Sequence, residues 1–149
     1  MIELTERPAW WTTDEWATPP EIVTEMEAEF GPFDLDPCAR PETTKAAYYY
    51  AKDIDGLTQE WFGRVWLNPP YSEPSKWMKK TVEELQAGRV SLVVALLPTA
   101  VDTGWFHDFV LPYAEVRYRR GRIKFLGWEG LPIGSPTAGS LFAIYRSTP

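Results

Sequence analysis

Apolar and polar positions along this chain follow two periods, and the switches between them mark out the elements. Ile22, Val23, Met26 and Phe30 recur at helical spacing and share one face. Thr18-Pro19-Pro20 precedes them and Gly31 follows. The pattern therefore predicts a helix capped by Thr18, with both prolines in its first turn and Gly31 as its stop. Phe33 to Asp36 reads as a short strand ended by Pro37, and residues 42–51 fit either a helix or a helix-to-strand passage. Val65-Trp66-Leu67 is a second buried strand, ending at Asn68-Pro69-Pro70. Pro74 to Ala87 reads as a helix with Trp77, Val82 and Leu85 turned to a core and Gly88 as terminator. Val90 to Leu97 is almost continuously apolar, the mark of a central strand covered on both faces. A helix over Thr103 to Val110 and strands over Ala114 to Arg119, Gly121 to Leu126 and Ser140 to Arg146 complete the pattern. Strands alternating with helices predict an α/β sheet whose last strands form an antiparallel edge.

A length of 149 residues suits one domain rather than two. The longest apolar run, Leu92 to Leu97, falls far short of the roughly 18–20 residues of a membrane helix. The opening MIELTERPAWW is acidic and polar, unlike a secretory leader. A lone Cys38 excludes an internal disulfide and a thiolate zinc cage, so a reducing cytoplasm is the expected setting.

Charge changes the picture more. The net value of −6 argues against a protein that coats nucleic acid by bulk attraction. Yet residues 1–60 hold 4 basic and 14 acidic groups, whereas residues 61–149 hold 11 and 7. Five of the basic groups lie between Arg117 and Lys124, so one face is able to grip a polyanion.

Asn68-Pro69-Pro70-Tyr71, directly after a buried strand, carries the strongest chemical signal. Successive prolines fix the backbone and place no N–H beside the carbonyls of Asn68 and Pro69. The Asn68 side-chain oxygen and the Pro69 carbonyl are then suited to accept from one exocyclic amine, and Tyr71 offers a flat face to a base. Ligands of open α/β sheets gather at the carboxyl ends of strands, where this segment sits. The competing reading is a rigid turn in which Asn68 caps the next helix. Asp34-Leu35-Asp36-Pro37-Cys38-Ala39 is the second signal: a carboxylate at a strand end accepts from an ammonium or from ribose hydroxyls, against the alternative of an ordinary Asp-Pro turn.

The ordered set Trp16-Ala17-Thr18-Pro19-Pro20, Asp36-Pro37-Cys38-Ala39, Asp55-Gly56-Leu57, Trp61, Asn68-Pro69-Pro70-Tyr71, Trp77, Leu97-Pro98 and Gly121-Arg122-Ile123-Lys124-Phe125 resembles the phage-type DNA N6-adenine methyltransferase (Dam) family over roughly residues 16–146. That resemblance implies a Rossmann-like S-adenosylmethionine-dependent methyltransferase fold, a single sheet with flanking helices. It implies S-adenosylmethionine as donor, DNA as partner, and no metal or membrane. Asn68, Pro69, Pro70 and Tyr71 match the catalytic motif. Asp36 and Pro37 match the acidic donor position, Trp16, Thr18 and Pro19 the upstream segment that helps hold methionine, and Asp55 the group near the donor adenine. The glycine-rich loop common in methyltransferases is replaced by Cys38-Ala39-Arg40-Pro41. A chain of this length leaves no room for a separate target-recognition domain, and a phage-encoded protein of this kind is expected in the host bacterial cytoplasm.

Around this centre other residues take expected places. Arg117 and Arg119 alternate with Val116 and Tyr118, and Arg120, Arg122 and Lys124 continue the positive surface, so the segment reads as a phosphate-contacting hairpin or as an edge strand protected by charge. Trp10, Trp11 and Trp16 suit core packing or a cover over the donor or a flipped base. His107 is expected to partner Asp108 or backbone rather than act as a base, and Asp102 to line the pocket. Gly127 to Gly139 reads as a loop able to reach over DNA. Two other functions remain open: methylation of another planar amine (RNA adenine, cytosine N4 or protein glutamine), and a catalytically silent nucleic-acid-binding scaffold. Oligomeric state is open as well.

Overall fold

The computed structural model describes residues 17–39, 44–126 and 138–147. Its strands are β1 (Leu35–Asp36), β2 (Tyr48–Tyr49), β3 (Gly63–Leu67), β4 (Val90–Pro98), β5 (Glu115–Tyr118) and β6 (Ser140–Arg146). Its helices are α1 (Pro20–Phe30), α2 (Pro74–Gln86) and α3 (Gly104–Phe109), with a short 3-10 turn over Gly56–Thr58. The strands form one sheet in the order β2-β1-β3-β4-β6-β5. β2, β1, β3 and β4 run parallel, while β6 is antiparallel to both of its neighbours. From β1 the chain moves outward to β2, then returns across β1 to β3. That reversal puts the carboxyl ends of β1 and β3 side by side, the crevice in which such sheets take ligands. The architecture is a mixed α/β sheet flanked by helices, consistent with a Rossmann-like methyltransferase fold.

Both faces of the sheet are covered, as the uninterrupted apolar run of β4 predicts. Val93, Ala95 and Leu97 point to one side with Leu141, Ala143 and Tyr145 of β6, against Trp77, Met78 and Val82 of α2 and Phe106 and Val110. Val94 and Leu96 point to the other with Phe142 and Ile144, against Ile22, Val23 and Met26 of α1. The period-two alternation of two adjacent strands thus feeds two cores.

Three expectations change. Thr18 does not cap α1: Pro19 occupies the N-cap with no side-chain cap bond, and the Thr18 hydroxyl is engaged elsewhere. The described part of 42–51 contains no helix; Tyr48–Tyr49 extends as an edge strand because its backbone pairs with Leu35 and Asp36. Gly121 to Leu126 is not a strand. Its one ladder-type contact is the bridge between Leu126 and Ala17, and the burial of Ile123 and Phe125 explains the alternation that resembles a strand. The last two strands form the expected antiparallel edge: β6 inserts between β4 and β5 and runs antiparallel to both, which leaves β5 outermost and parallel to β4. Among the described residues no helix is long and apolar enough to cross a membrane.

One buried charge braces the α2 side. The Glu84 side chain is fully buried, accepting from Lys80 at 2.6 Å, from Arg89 at 2.6 and 3.0 Å, and from the Trp61 backbone N–H at 3.0 Å. Burial opposes the charge, but the hydrogen bonds from Arg89 and Lys80 outweigh it and draw the carboxyl down to about 2. A carboxylate whose folded value lies below its unfolded one stabilises fully above the unfolded value and loses that contribution as pH falls through the folded one. Wild-type stability is therefore expected to drop between about pH 4.5 and 2. Glu84→Gln should cost about 2–3 kcal/mol at neutral pH and flatten that acid limb, as urea titrations across the range will show.

Candidate functional site

At the carboxyl ends of β1 and β3 lies a cleft of about 580 Å³, within the range of small-molecule sites. Thr18, Asp36, Pro37, Asp55, Asn68 and Pro70 share its wall. Pro19 is buried outside that wall, Pro69 and Tyr71 continue the backbone just beyond it, and Trp16 lies outside the described residues. The cation-rich segment and Asp102 are likewise absent from the lining. Exposed His107 meets the Phe106 ring edge-on at 6.3 Å, also away from the cleft, and donates no hydrogen bond to Asp108.

Asn68 does not cap α2. Its Nδ2 donates to Thr18 Oγ1 at 3.0 Å, tying the end of β3 to the residue before α1. This bond fixes the carboxamide plane and leaves Oδ1 as an acceptor with no donor among the described residues. The carbonyl of buried Pro69 likewise receives no hydrogen bond among the described residues, whereas that of Pro70 accepts from Glu73 N–H at 3.2 Å. Two adjacent acceptors are thus left for an incoming donor, and buried acceptors in that condition mark places where a ligand completes the hydrogen bonding. Tyr71 is mostly buried against the α1-side core, with its ring edge-on to Phe125 at 6.1 Å, and burial pushes its hydroxyl up to about 12. Phe125 is therefore the buttress of Tyr71, a contact that the sequence pattern does not reveal.

Asp36 is the buried acid of the cleft, 3% exposed. Its Oδ2 accepts from Lys45 N–H at 3.0 Å and its Oδ1 from Cys38 N–H at 3.4 Å. Desolvation outweighs both bonds and raises the carboxyl to about 7. The DPCA turn is backed by Gly56: a Cβ there would stand 2.0 Å from the Pro37 carbonyl oxygen, so no larger residue fits without moving the turn. Asp55 beside it adopts φ 62°, ψ 91°, and its carboxylate accepts from Leu57 N–H at 3.1 Å. Trp61 Nε1 clasps the same turn by donating to the Gly56 carbonyl at 2.8 Å. Lys45, which no sequence motif marks, is half-buried in the cleft wall. Only the parallel pairing of β2 on β1 brings it back to Asp36, and nothing in its local sequence signals that.

The positive segment divides in two. Arg117 is held bidentate by Glu29 at 2.6 and 2.8 Å and also contacts Glu115, while Arg119 reaches Glu25 at 3.2 Å. These guanidiniums face α1 because residues 115 and 117 of β5 share a face with Ile144 and Phe142. No hairpin forms. Arg120, Arg122 and Lys124 follow on the exposed side of the segment whose Ile123 and Phe125 are buried.

Residues 9–147 match the family model described as DNA N-6-adenine-methyltransferase (Dam). A DNA N-6-adenine-methyltransferase of Escherichia phage T1 is 30% identical over 89% of this chain, and one of Haemophilus phage HP1 is 34% identical over 78%. The chain spans 63% and 68% of the length of those two relatives.

Because Asp36 is buried with a raised pKa, its ionisation works against folding. Stability in ligand-free protein is expected to fall as pH rises from about 3.8 to about 7 and to level off above. Asp36→Asn, which keeps the acceptor for Lys45 N–H, should therefore be more stable than wild type at pH 8 by at least ~1 kcal/mol, and near parity at pH 4. Chemical denaturation at the two pH values checks this; equal differences at both would contradict it.

Proposed function

Because the chain belongs to the DNA N-6-adenine-methyltransferase (Dam) family, we propose that it transfers a methyl group from S-adenosylmethionine to the exocyclic N6 amine of adenine in DNA. The observation that carries the reading is the pair of acceptors at Asn68 Oδ1 and the Pro69 carbonyl, beside a cleft that also holds a buried carboxylate.

S-adenosylmethionine supplies a methyl group already activated as an electrophile on a sulfonium. The cleft suits it in volume, in the buried acid Asp36 and in the turn at Asp55 and Gly56. Asp36 and Pro37 hold its polar part, and Asp55 meets the adenosine portion. Thr18 lines the cleft and also positions Asn68. Adenine N6 is a poor nucleophile because its lone pair is delocalised into the ring. Asn68 Oδ1 and the Pro69 carbonyl accept its two N–H groups, which favours a pyramidal nitrogen with its lone pair toward the methyl and stabilises the positive charge growing there. Rigid Pro69-Pro70 keeps both acceptors in register. Tyr71, braced by Phe125, gives the extrahelical base a surface and offsets part of the few kcal/mol that flipping costs. Arg120 and Lys124 suit phosphate contacts better than Arg117 and Arg119, since α1 carboxylates already hold the latter two.

Transfer of labelled methyl from S-adenosylmethionine to unmethylated DNA, RNA and protein in parallel, followed by nucleoside analysis, tests the assignment. The expected product is N6-methyladenine in DNA; label on another acceptor would overturn the substrate. Asn68→Ala should lose at least ~100-fold in turnover while keeping donor affinity within a few-fold. For the DNA face, Arg120→Ala/Lys124→Ala should weaken binding and lower the slope of log K against log salt by roughly 2. Arg117→Ala/Arg119→Ala should change that slope far less, and the reverse ranking would return the grip to β5.

A further inference from the structure

The amino-acid end of the proposed donor is a zwitterion, so a site that holds it in a half-buried cleft needs one anion and one cation placed together. Asp36 is the anion. Three lysines line the cleft. Lys76 is ion-paired to Glu73 at 3.2 Å, and Lys52 is exposed to solvent. Lys45 is different: its side chain is half-buried, and no carboxylate oxygen lies within 4 Å of its ammonium among the described residues. Desolvation lowers its pKa, and the Asp36 charge only partly counters this. A cation kept out of water without an ion-pair partner is costly, and an arriving carboxylate relieves that cost.

Lys45 is also fixed relative to Asp36. Its own backbone N–H donates to Asp36 Oδ2 at 3.0 Å, so the two side chains start from one hydrogen-bonded unit. Each Asp36 oxygen accepts only one backbone N–H, at Lys45 and at Cys38, and each keeps a lone pair for another donor. The unit sits at the end of β1, next to the end of β3 that leads into Asn68. In S-adenosylmethionine the sulfonium that carries the methyl is three carbons from the amino-acid charges. A methyl group delivered at Asn68 therefore leaves those charges within a side chain's reach of the neighbouring strand end.

We infer that Lys45 is a specificity determinant of this cleft: its ammonium receives the carboxylate of the donor's amino-acid end while Asp36 takes the ammonium. This rests on the S-adenosylmethionine reading above. An analogue that lacks the amino-acid carboxylate but keeps the amine then loses the Lys45 contact and keeps the Asp36 contact.

The test is a ligand-by-mutant cycle on the full chain. Affinity is measured by calorimetry for S-adenosylhomocysteine and for S-adenosyl-3-thiopropylamine, the same molecule without its carboxylate. Wild type should prefer the first by 10-fold or more. Lys45→Met should bind the amine as wild type does, within about twofold, and have lost the preference; Lys45→Arg should recover part of it. Lys45→Gln gives the same reading if methionine disturbs the cleft, and thermal unfolding of each variant confirms the fold. A Lys45→Met protein that keeps the wild-type preference, or that loses affinity equally for both ligands, overturns the assignment. If Lys45→Met alters only DNA affinity, the ammonium serves a phosphate and the assignment falls. Wild-type protein that binds neither ligand would instead overturn the donor reading itself.

Discussion

Everything at the cleft depends on the parallel pairing of β1 with β3. That pairing is short, with Leu35 set against Val65, and it occurs where the chain reverses its direction of travel across the sheet. The reversal is what opens a crevice at the carboxyl ends instead of covering them with a connection. Leu35, Val65 and Leu67 are completely buried, so hydrophobic packing against α2 holds the two strand ends where their polar residues meet. An acid from one motif and an amide from another, about thirty positions apart in sequence, thereby become walls of a single site. The apolar residues decide where the polar ones meet.

The uneven charge of the chain has a structural use that its net value hides. Carboxylates of α1 meet guanidiniums of β5 and of the residue just after it through the Glu29–Arg117 and Glu25–Arg119 pairs, and Arg146 joins through Glu115. Arg117 and Arg146 also lie over the Phe30 ring, at 5.5 and 5.8 Å. Each pair is partly exposed and individually weak. Together they fasten the acidic helix over the edge of the sheet and cancel part of both charge excesses, so the positive surface left over is smaller than the sequence suggests. Glu84 shows the other extreme: one carboxylate with no exposure, four hydrogen bonds from three residues, and a role in holding the Trp61 backbone.

Much of the fold is legible in the sequence because it rests on local periodicity. The α1 stripe, the α2 face and the doubly buried β4 all follow from residues within one element. The motifs at Asp36 and Asn68 are legible too, since each sits at the end of an apolar strand. What the sequence does not disclose depends on which side chains meet across the sheet. Thr18 has the chemistry of a cap, yet it bonds Asn68, fifty residues away. Arg117 and Arg119 look like a free basic stripe until strand pairing turns them toward α1. Ile123 and Phe125 alternate with cations as a strand would, but their period records burial without a ladder partner. Lys45 has no local signal at all, because its place beside Asp36 is set by an edge strand of two residues.

The segment running from Arg120 to Leu126 joins several of these features. Its outward side chains are cationic, its inward Phe125 supports Tyr71, and its last residue bridges Ala17, the neighbour of Thr18. Ala17 and Leu126 exchange backbone hydrogen bonds in both directions, at 2.8 and 2.9 Å. Surface and interior of this stretch are consequently free to diverge at different speeds. Exchanges among the outward residues alter the surface charge without touching Phe125, whereas an insertion or deletion of one residue slips the whole stretch and unseats Phe125 and the Ala17 clasp together. Change along this stretch is thereby channelled into side-chain identity, with its length held constant.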